Sequence, residues 1–454
     1  MTLIEQSIGF IHSKKRKEKL LILLGIPMVF GVILGLSILF IPSNYLLFVI
    51  GGLIFTYLAL FKIEVAIIIT LLLQNQLSRF NYLGGDTPFH PNGIIGLLLI
   101  AGSAFYFFTH KVDYSRLKAI WGFLVFILVS AFSLISAGKY LMDGITILLR
   151  LVAAFSIFAV LCHKLETSQQ VKWILGVILA AQVLPTISGI IGSSRLTSIF
   201  VFEESMRIGD SGVGVYLSAI SLLCVTYFLN SKRLKSFIGW GALTALFLAG
   251  LFFSFGRSGW IGFAFGLILM AAIRFKKLIF IIPLILILTI ALVPAIGQRF
   301  EDIKISDLQG KENDTLSGRI RLWQAGFAVF KDNPVLGVGI GLGKFQIASH
   351  LGRNPGAIHN DYLSALVETG VIGFIIFITW HYQWLKTLID HYQMPLPEFE
   401  RTTTFAVLIV FTSIMVMRFT DNILLDTYDM YPLCALLAAA FELPRIVEQE
   451  SQKK

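Results

Sequence analysis

The sequence predicts an all-α fold, a polytopic transmembrane helical bundle of about 12–14 spans carrying one long extracytoplasmic helical loop. Three observations predict it. The 454 residues are 56% hydrophobic with a mean hydropathy of +0.79, too apolar for the polar surface of a water-soluble domain. Apolar runs of bilayer-crossing length recur along the chain. Lysine and arginine gather at alternate run ends, which is the pattern the positive-inside rule describes.

The elements follow in order. A basic cluster from His12 to Lys19 precedes the run 20–41, which has the length of a span and no small-residue cleavage pattern behind it. It is expected to be a retained first span. Further runs lie at 45–61, 63–77, 93–109, 118–136, 142–161 and 171–191, then at 211–229, 236–255, 258–273, 278–296, 371–389, 402–418 and 430–443. The third, tenth and fourteenth are short for a crossing, which sets the lower end of the span count.

Charge placement tests this topology. With both termini cytoplasmic, the inward segments hold most of the 37 basic residues, among them Lys111, Arg116, Lys118, Lys232, Arg233, Lys235, Arg274, Lys276 and Lys277. The net charge of +10 is therefore topological and does not argue for nucleic-acid binding. The short outward loops hold Arg79, Lys139, Arg195, Arg207, Arg257 and Arg418, exceptions that want a reason. Cys162, Cys224 and Cys434 stand singly in apolar runs, so no disulfide and no zinc site is expected. No internal repeat stands out, and the simplest partition is one membrane domain over 1–454 with an extracytoplasmic loop inserted at 297–370.

That loop is far longer than the usual connection of about 4–6 residues, which marks it as functional or disordered. Its second part argues against disorder. Ser317 is placed to cap an amphipathic helix whose Ile320, Trp323, Phe327 and Phe330 share a face, and Asp332-Asn333-Pro334 ends it. Arg319 and Trp323, four apart, lie on one side of this helix, whereas Arg321 points elsewhere and reads better as a surface charge. The run Gly337-Val338-Gly339-Ile340-Gly341-Leu342-Gly343-Lys344 lacks the GK[ST] of a phosphate-binding loop and the βαβ context of a dinucleotide fold. Two readings stand for it: a close-approaching loop offering amides to an anion or sugar, and a plain turn.

His359 sits at or just before the first turn of a second helix that runs to Glu368-Thr369-Gly370. The positive helix end disfavours a second positive charge, which suits the neutral ring of a general base, although a loop histidine is more often a cap or surface group. His359-Asn360-Asp361 does not read as a metal cluster, because adjacent helical residues point different ways.

Three motifs in this order, Ser317-Gly318-Arg319-x-x-x-Trp323, Asp332-x-Pro334-x-x-Gly337-x-Gly339 and Ala357-x-His359-Asn360-x-Tyr362-Leu363 followed by Glu368-x-Gly370, resemble the O-antigen ligase and O-antigen polymerase superfamily. Ser254-Phe255-Gly256-Arg257-Ser258-Gly259-Trp260 is similar to that family's Ser-Arg-Ser-Gly-Trp segment, with two residues here between Ser254 and Arg257, and Arg195 to an arginine of an earlier outward loop. The resemblance implies a GT-C-like fold in the bacterial cytoplasmic (inner) membrane with an extracytoplasmic active site. It also implies an inverting glycosyltransferase that needs neither metal, nucleotide sugar nor other cofactor. The donor would be a glycan on undecaprenyl pyrophosphate and the acceptor a sugar hydroxyl, on a lipid-linked repeat unit or a lipid A core. His359 would be the catalytic base, and Arg195 and Arg319 would hold the pyrophosphate.

Physical chemistry supports such roles, since guanidinium forks suit a pyrophosphate leaving group. Arg257, at a helix start, is a third candidate. Arg150 lies ~12 Å inside the sixth span by helical rise, where a functional role and pairing with Glu203, Glu204 or Asp210 are equally good accounts. Trp323, Asn360 and Tyr362 complete the candidates. Asp86, His90, Asp421, Asp426 and Asp429, in other outward loops, read as ordinary solvated residues that offer acceptor contacts at most. Rival readings are a transporter, which should concentrate charge at mid-membrane, and a non-catalytic scaffold of an envelope-synthesis complex.

Overall fold

A computed structural model describes residues 43–77, 91–113, 119–193, 211–254, 256–280, 315–352 and 356–452. Among the described residues every element is helical: α1 Ser43–Phe61, α2 Ile63–Leu77, α3 Pro91–Thr109, α4 Trp121–Ser133, α5 Leu141–Lys164, α6 Ser168–Ser193, α7 Ser211–Leu229, α8 Leu234–Phe253, α9 Arg257–Ile273, α10 Thr315–Asp332, α11 Gly343–Leu351, α12 Asp361–Gln393, α13 Glu398–Met417 and α14 Thr427–Gln452. Seven of them are long and apolar enough to cross a membrane, and shorter apolar helices accompany them, so the chain is a polytopic helical membrane protein. The expected span 20–41 and most of 278–296 lie outside the described residues. The run at 430–443 is not short after all: it belongs to the 26-residue α14, which continues through Pro432 and Pro444.

The chain forms two compact units, Met1–Leu58 and Ala59–Lys454. Of the first, the described part is the helical stretch from Ser43. In the second, α13 and α14 are the most deeply buried long helices. α14 packs on α5 and α13, α12 on α4, and α7 on α8, α9 and α13. Small residues set how close these helices come. A Cβ on Gly259 would stand 2.2 Å from the Gly214 carbonyl oxygen, so α9 meets α7 nearly backbone to backbone, and one on Gly262 would stand 2.3 Å from Met417 Sδ, a side chain of α13 that fills the space the glycine leaves. An aromatic layer joins α4 and α12, with Phe123 stacked on Trp380 at 4.3 Å between ring centres.

The segment from α10 to the start of α12 has its own small core of Ala325, Val329, Val338, Ile347, Ile358, Leu363 and Val367. Two expectations change here. α10 already runs at Thr315, so Ser317 lies inside it rather than capping it. Its inward stripe is Leu322, Ala325 and Val329 with Trp323 and Phe330 beside them, whereas Phe327 is exposed. Tertiary packing chose a face slightly rotated from the aromatic one.

The glycine run is a docking element of the fold, and it leads into α11, which the sequence did not suggest. Gly370 has φ +66 and ψ −171, a conformation open in practice to glycine, and it breaks α12. The break frees carbonyls for outside donors: Val338 N–H donates to Val367 O at 3.1 Å, Gly339 N–H to Glu368 O at 2.9 Å, and the Val371 amide turns to Pro334 O at 2.9 Å. The buried Glu368 carboxylate accepts from Gly341 N–H at 2.7 Å and Gly343 N–H at 3.3 Å, and Ile340 N–H reaches Ser133 Oγ at 3.1 Å. The amides that the sequence offered to an anion are thus spent within the chain.

Candidate active site

His359 stands two residues before α12 and has φ +53, the one positive φ at a non-glycine among the described residues. Such a backbone costs on the order of 1–3 kcal/mol and persists only where neighbours hold it. The holder is Asn422, whose Oδ1 accepts the His359 amide at 2.5 Å and whose Nδ2 donates to Ser364 Oγ at 3.0 Å. Asn360 is the N-cap of α12, its Oδ1 accepting from Leu363 N–H at 3.0 Å.

Asp361 opens α12 fully buried. Its carboxylate accepts from Arg418 Nη1 at 2.8 Å and from the amides of Ile423 at 3.1 Å and Leu424 at 2.8 Å, while its own amide donates to Arg418 O at 2.9 Å. One carboxylate therefore ties the α13–α14 turn to the head of α12. The turn places Asp421 against the histidine, with Asp421 Oδ1 3.8 Å from His359 Nδ1. That is too long for a hydrogen bond and close enough for strong electrostatic contact. The histidine side chain is 34% exposed and that of Asp421 7%. Asn422 N–H donates to the same Asp421 Oδ1 at 3.0 Å.

Arg319, half-buried on α10, belongs to this cluster electrostatically. Burial holds its guanidinium below the ordinary arginine range, the nearby Asp421 carboxylate opposes that shift, and the Arg257 guanidinium adds to it. Arg257 is the first residue of α9, set by a tight turn in which Ser254 Oγ accepts from Gly256 N–H at 3.2 Å and Trp260 Nε1 donates to Leu251 O at 3.0 Å. Arg257, Arg319, His359 and Asp421 thus converge from α9, α10, the turn before α12 and the turn after α13. Arg319 is within electrostatic reach of both Arg257 and Asp421, and Asp421 faces the histidine, which makes a setting suited to a polyanion.

The other candidates fall elsewhere. Arg195, Asp86 and His90 lie outside the described residues. Arg321 is exposed. Trp323 packs against the small core, its buried Nε1 lacking a hydrogen-bond partner among the described residues. Tyr362 donates its hydroxyl to Met415 O at 2.8 Å and stacks on Phe419, and Asn360 is committed to its cap. Arg150, half-buried in α5, is within electrostatic reach of Tyr431 on α14, and its suggested partners Glu203, Glu204 and Asp210 lie outside the described residues.

Three sequence readings are corrected. Asp421 and Asp429 are not solvated loop residues but buried ones, at 5% and 4% exposure. Arg418, an unexplained outward arginine, has its reason in Asp361. Asn422 was missed altogether. The available signal was an arginine three residues ahead of an Asp-Asn pair in a short acidic turn between long apolar runs, a combination that sequence spacing does not join to a histidine some sixty residues earlier.

Residues 242–378 match a family model described as O-antigen ligase. An uncharacterised protein of Haemophilus influenzae is 28% identical over 216 residues, covering 42% of this chain and 54% of that protein. Proteins provisionally named polysaccharide ligases in Rickettsia conorii and Rickettsia typhi are each 24% identical over 205 residues, covering 42% of this chain and 49% and 50% of theirs. The chain spans about half the length of the curated relatives it matches. The matched region holds Arg257, Arg319 and His359, and through it this chain is similar to the O-antigen ligase family.

Proposed function

We propose that this chain is a metal-independent inverting glycosyltransferase of the O-antigen ligase and polymerase type. It transfers a glycan from undecaprenyl pyrophosphate to an acceptor sugar hydroxyl at the outer face of the cytoplasmic membrane. The observation that supports it best is the convergence of His359 and Asp421, 3.8 Å apart, with Arg319 and Arg257. In this reading Nδ1 of His359 faces the Asp421 carboxylate, and Nε2 takes the proton of the attacking hydroxyl. The hydroxyl oxygen bonds to the anomeric carbon from the face opposite the pyrophosphate. The bond from that carbon to the phosphate oxygen breaks, and its electron pair leaves with the lipid pyrophosphate. Asp421 stabilises the imidazolium that forms, and the guanidiniums of Arg319 and Arg257 stabilise the departing charge. Arg195 remains a proposed third pyrophosphate ligand. The acceptor is a lipid-linked repeat unit or a lipid A core, and both suit the same base and donor.

The test is glycan transfer by the full chain reconstituted in lipid vesicles with a lipid-linked oligosaccharide donor. His359→Ala should insert and fold normally yet release no undecaprenyl pyrophosphate. Normal transfer by that variant would remove the mechanism. Supplying each acceptor in turn separates ligase from polymerase activity.

A further inference from the structure

We infer that Asn422 is a positioning residue that sets the His359–Asp421 pair, an inference that rests on His359 acting as the base. The side chain and backbone of this one residue contact both members. Its Oδ1 accepts the His359 amide at 2.5 Å and so holds the left-handed backbone from which the imidazole projects. Its own amide donates at 3.0 Å to Asp421 Oδ1, the oxygen that faces Nδ1 of the ring. Its Nδ2 is anchored on Ser364 Oγ at 3.0 Å, one turn into α12, a helix whose start is already fixed by Asp361 and Arg418. The three contacts run from a rigid helix through the side-chain amide and the backbone N–H of one residue to the base and its carboxylate. Without the acceptor, no other hydrogen bond among the described residues holds the His359 amide with φ at +53, and the backbone relaxes toward negative φ. That relaxation swings the ring away from Asp421 and from the hydroxyl it must reach.

Catalysis is sensitive to such displacements: a misplacement of about 1 Å costs about a hundredfold. The experiment compares Asn422→Ala, Asn422→Asp and Ser364→Ala with the parent in vesicles, measuring kcat and the donor KM. Asn422→Ala should lose about 10–100-fold in kcat with donor KM changed less than about twofold. Asn422→Asp keeps an acceptor for the His359 amide and can accept a hydrogen bond from the Ser364 hydroxyl, so it should recover most of that loss. A parental kcat in Asn422→Ala, or equal loss in the Ala and Asp variants, overturns the inference while leaving the proposed function standing. Normal transfer by His359→Ala overturns the function itself. If Asn422→Ala does not accumulate, Ser364→Ala decides: a several-fold fall in kcat at constant KM is expected, and an unchanged kcat defeats the clamp.

Discussion

Arg418 Nη1 lies 2.8 Å from Asp361 Oδ2, and both side chains are shielded from solvent at 1% and 0% exposure. The pair joins the end of α13 to the start of α12, and the same carboxylate also holds the amides of Ile423 and Leu424. Removing one member leaves the other charge buried without its partner, which costs about 3–5 kcal/mol. Arg418→Met should therefore lower the unfolding midpoint in detergent sharply. Asp361→Asn, which leaves the Arg418 guanidinium buried without a counter-charge, should lower it as well. Equal midpoints for Arg418→Met and the parent would show that the pair carries no such weight.

Arg319 should be replaceable by neither alanine nor lysine. Lysine keeps the charge but offers a single ammonium where a fork is suited to two phosphate oxygens. Arg319→Lys is expected to lose about tenfold or more in kcat/KM for the donor, at unchanged stability. Full activity in the lysine variant would make Arg319 a plain surface charge.

Asp421→Asn removes the negative charge facing His359 while leaving size and an acceptor in place. The imidazolium formed during transfer then loses its counter-charge, and kcat should fall about 10–100-fold. Steady-state rates against donor and acceptor concentration check this, and a change confined to KM would contradict it.

Transfer should continue in the presence of a strong chelator. Loss of turnover on chelation that a divalent ion restores would overturn the metal-independent reading.

Gly370→Ala should be among the most damaging small substitutions. A Cβ there would meet Val335 O at 2.1 Å, and the backbone geometry is one that alanine does not adopt. Glu368→Gln should be milder: the carboxylate accepts from two amides, whereas the carboxamide turns a donor toward one of them, at about 1–3 kcal/mol. Folded yield and thermal midpoint after membrane extraction distinguish the two, with Gly370→Ala the lower.

Hydropathy and charge placement made the membrane class and most helix positions legible, because each depends on runs of neighbouring residues. The spans read at 63–77 and 211–229 coincide with α2 and α7 to the residue. Local chemistry also singled out His359 and Arg319 as candidates. It left two readings open for the glycine run, because nothing local reveals that Glu368, some 25 residues on, takes up its amides. It passed over Asp421 and Asn422 for the same reason.

By itself, then, the sequence determined that this chain is a helical membrane protein with a motif-bearing segment around His359, and it nominated the arginines. Only the tertiary structure decided which acid faces the histidine, that Arg257 is within electrostatic reach of Arg319, and that Arg418 pairs with Asp361. The physical reason is that apolar periodicity reports which face of a helix is buried, whereas a site depends on which buried faces meet. That is set by small residues such as Gly259 and by single hydrogen bonds across turns far apart in the chain.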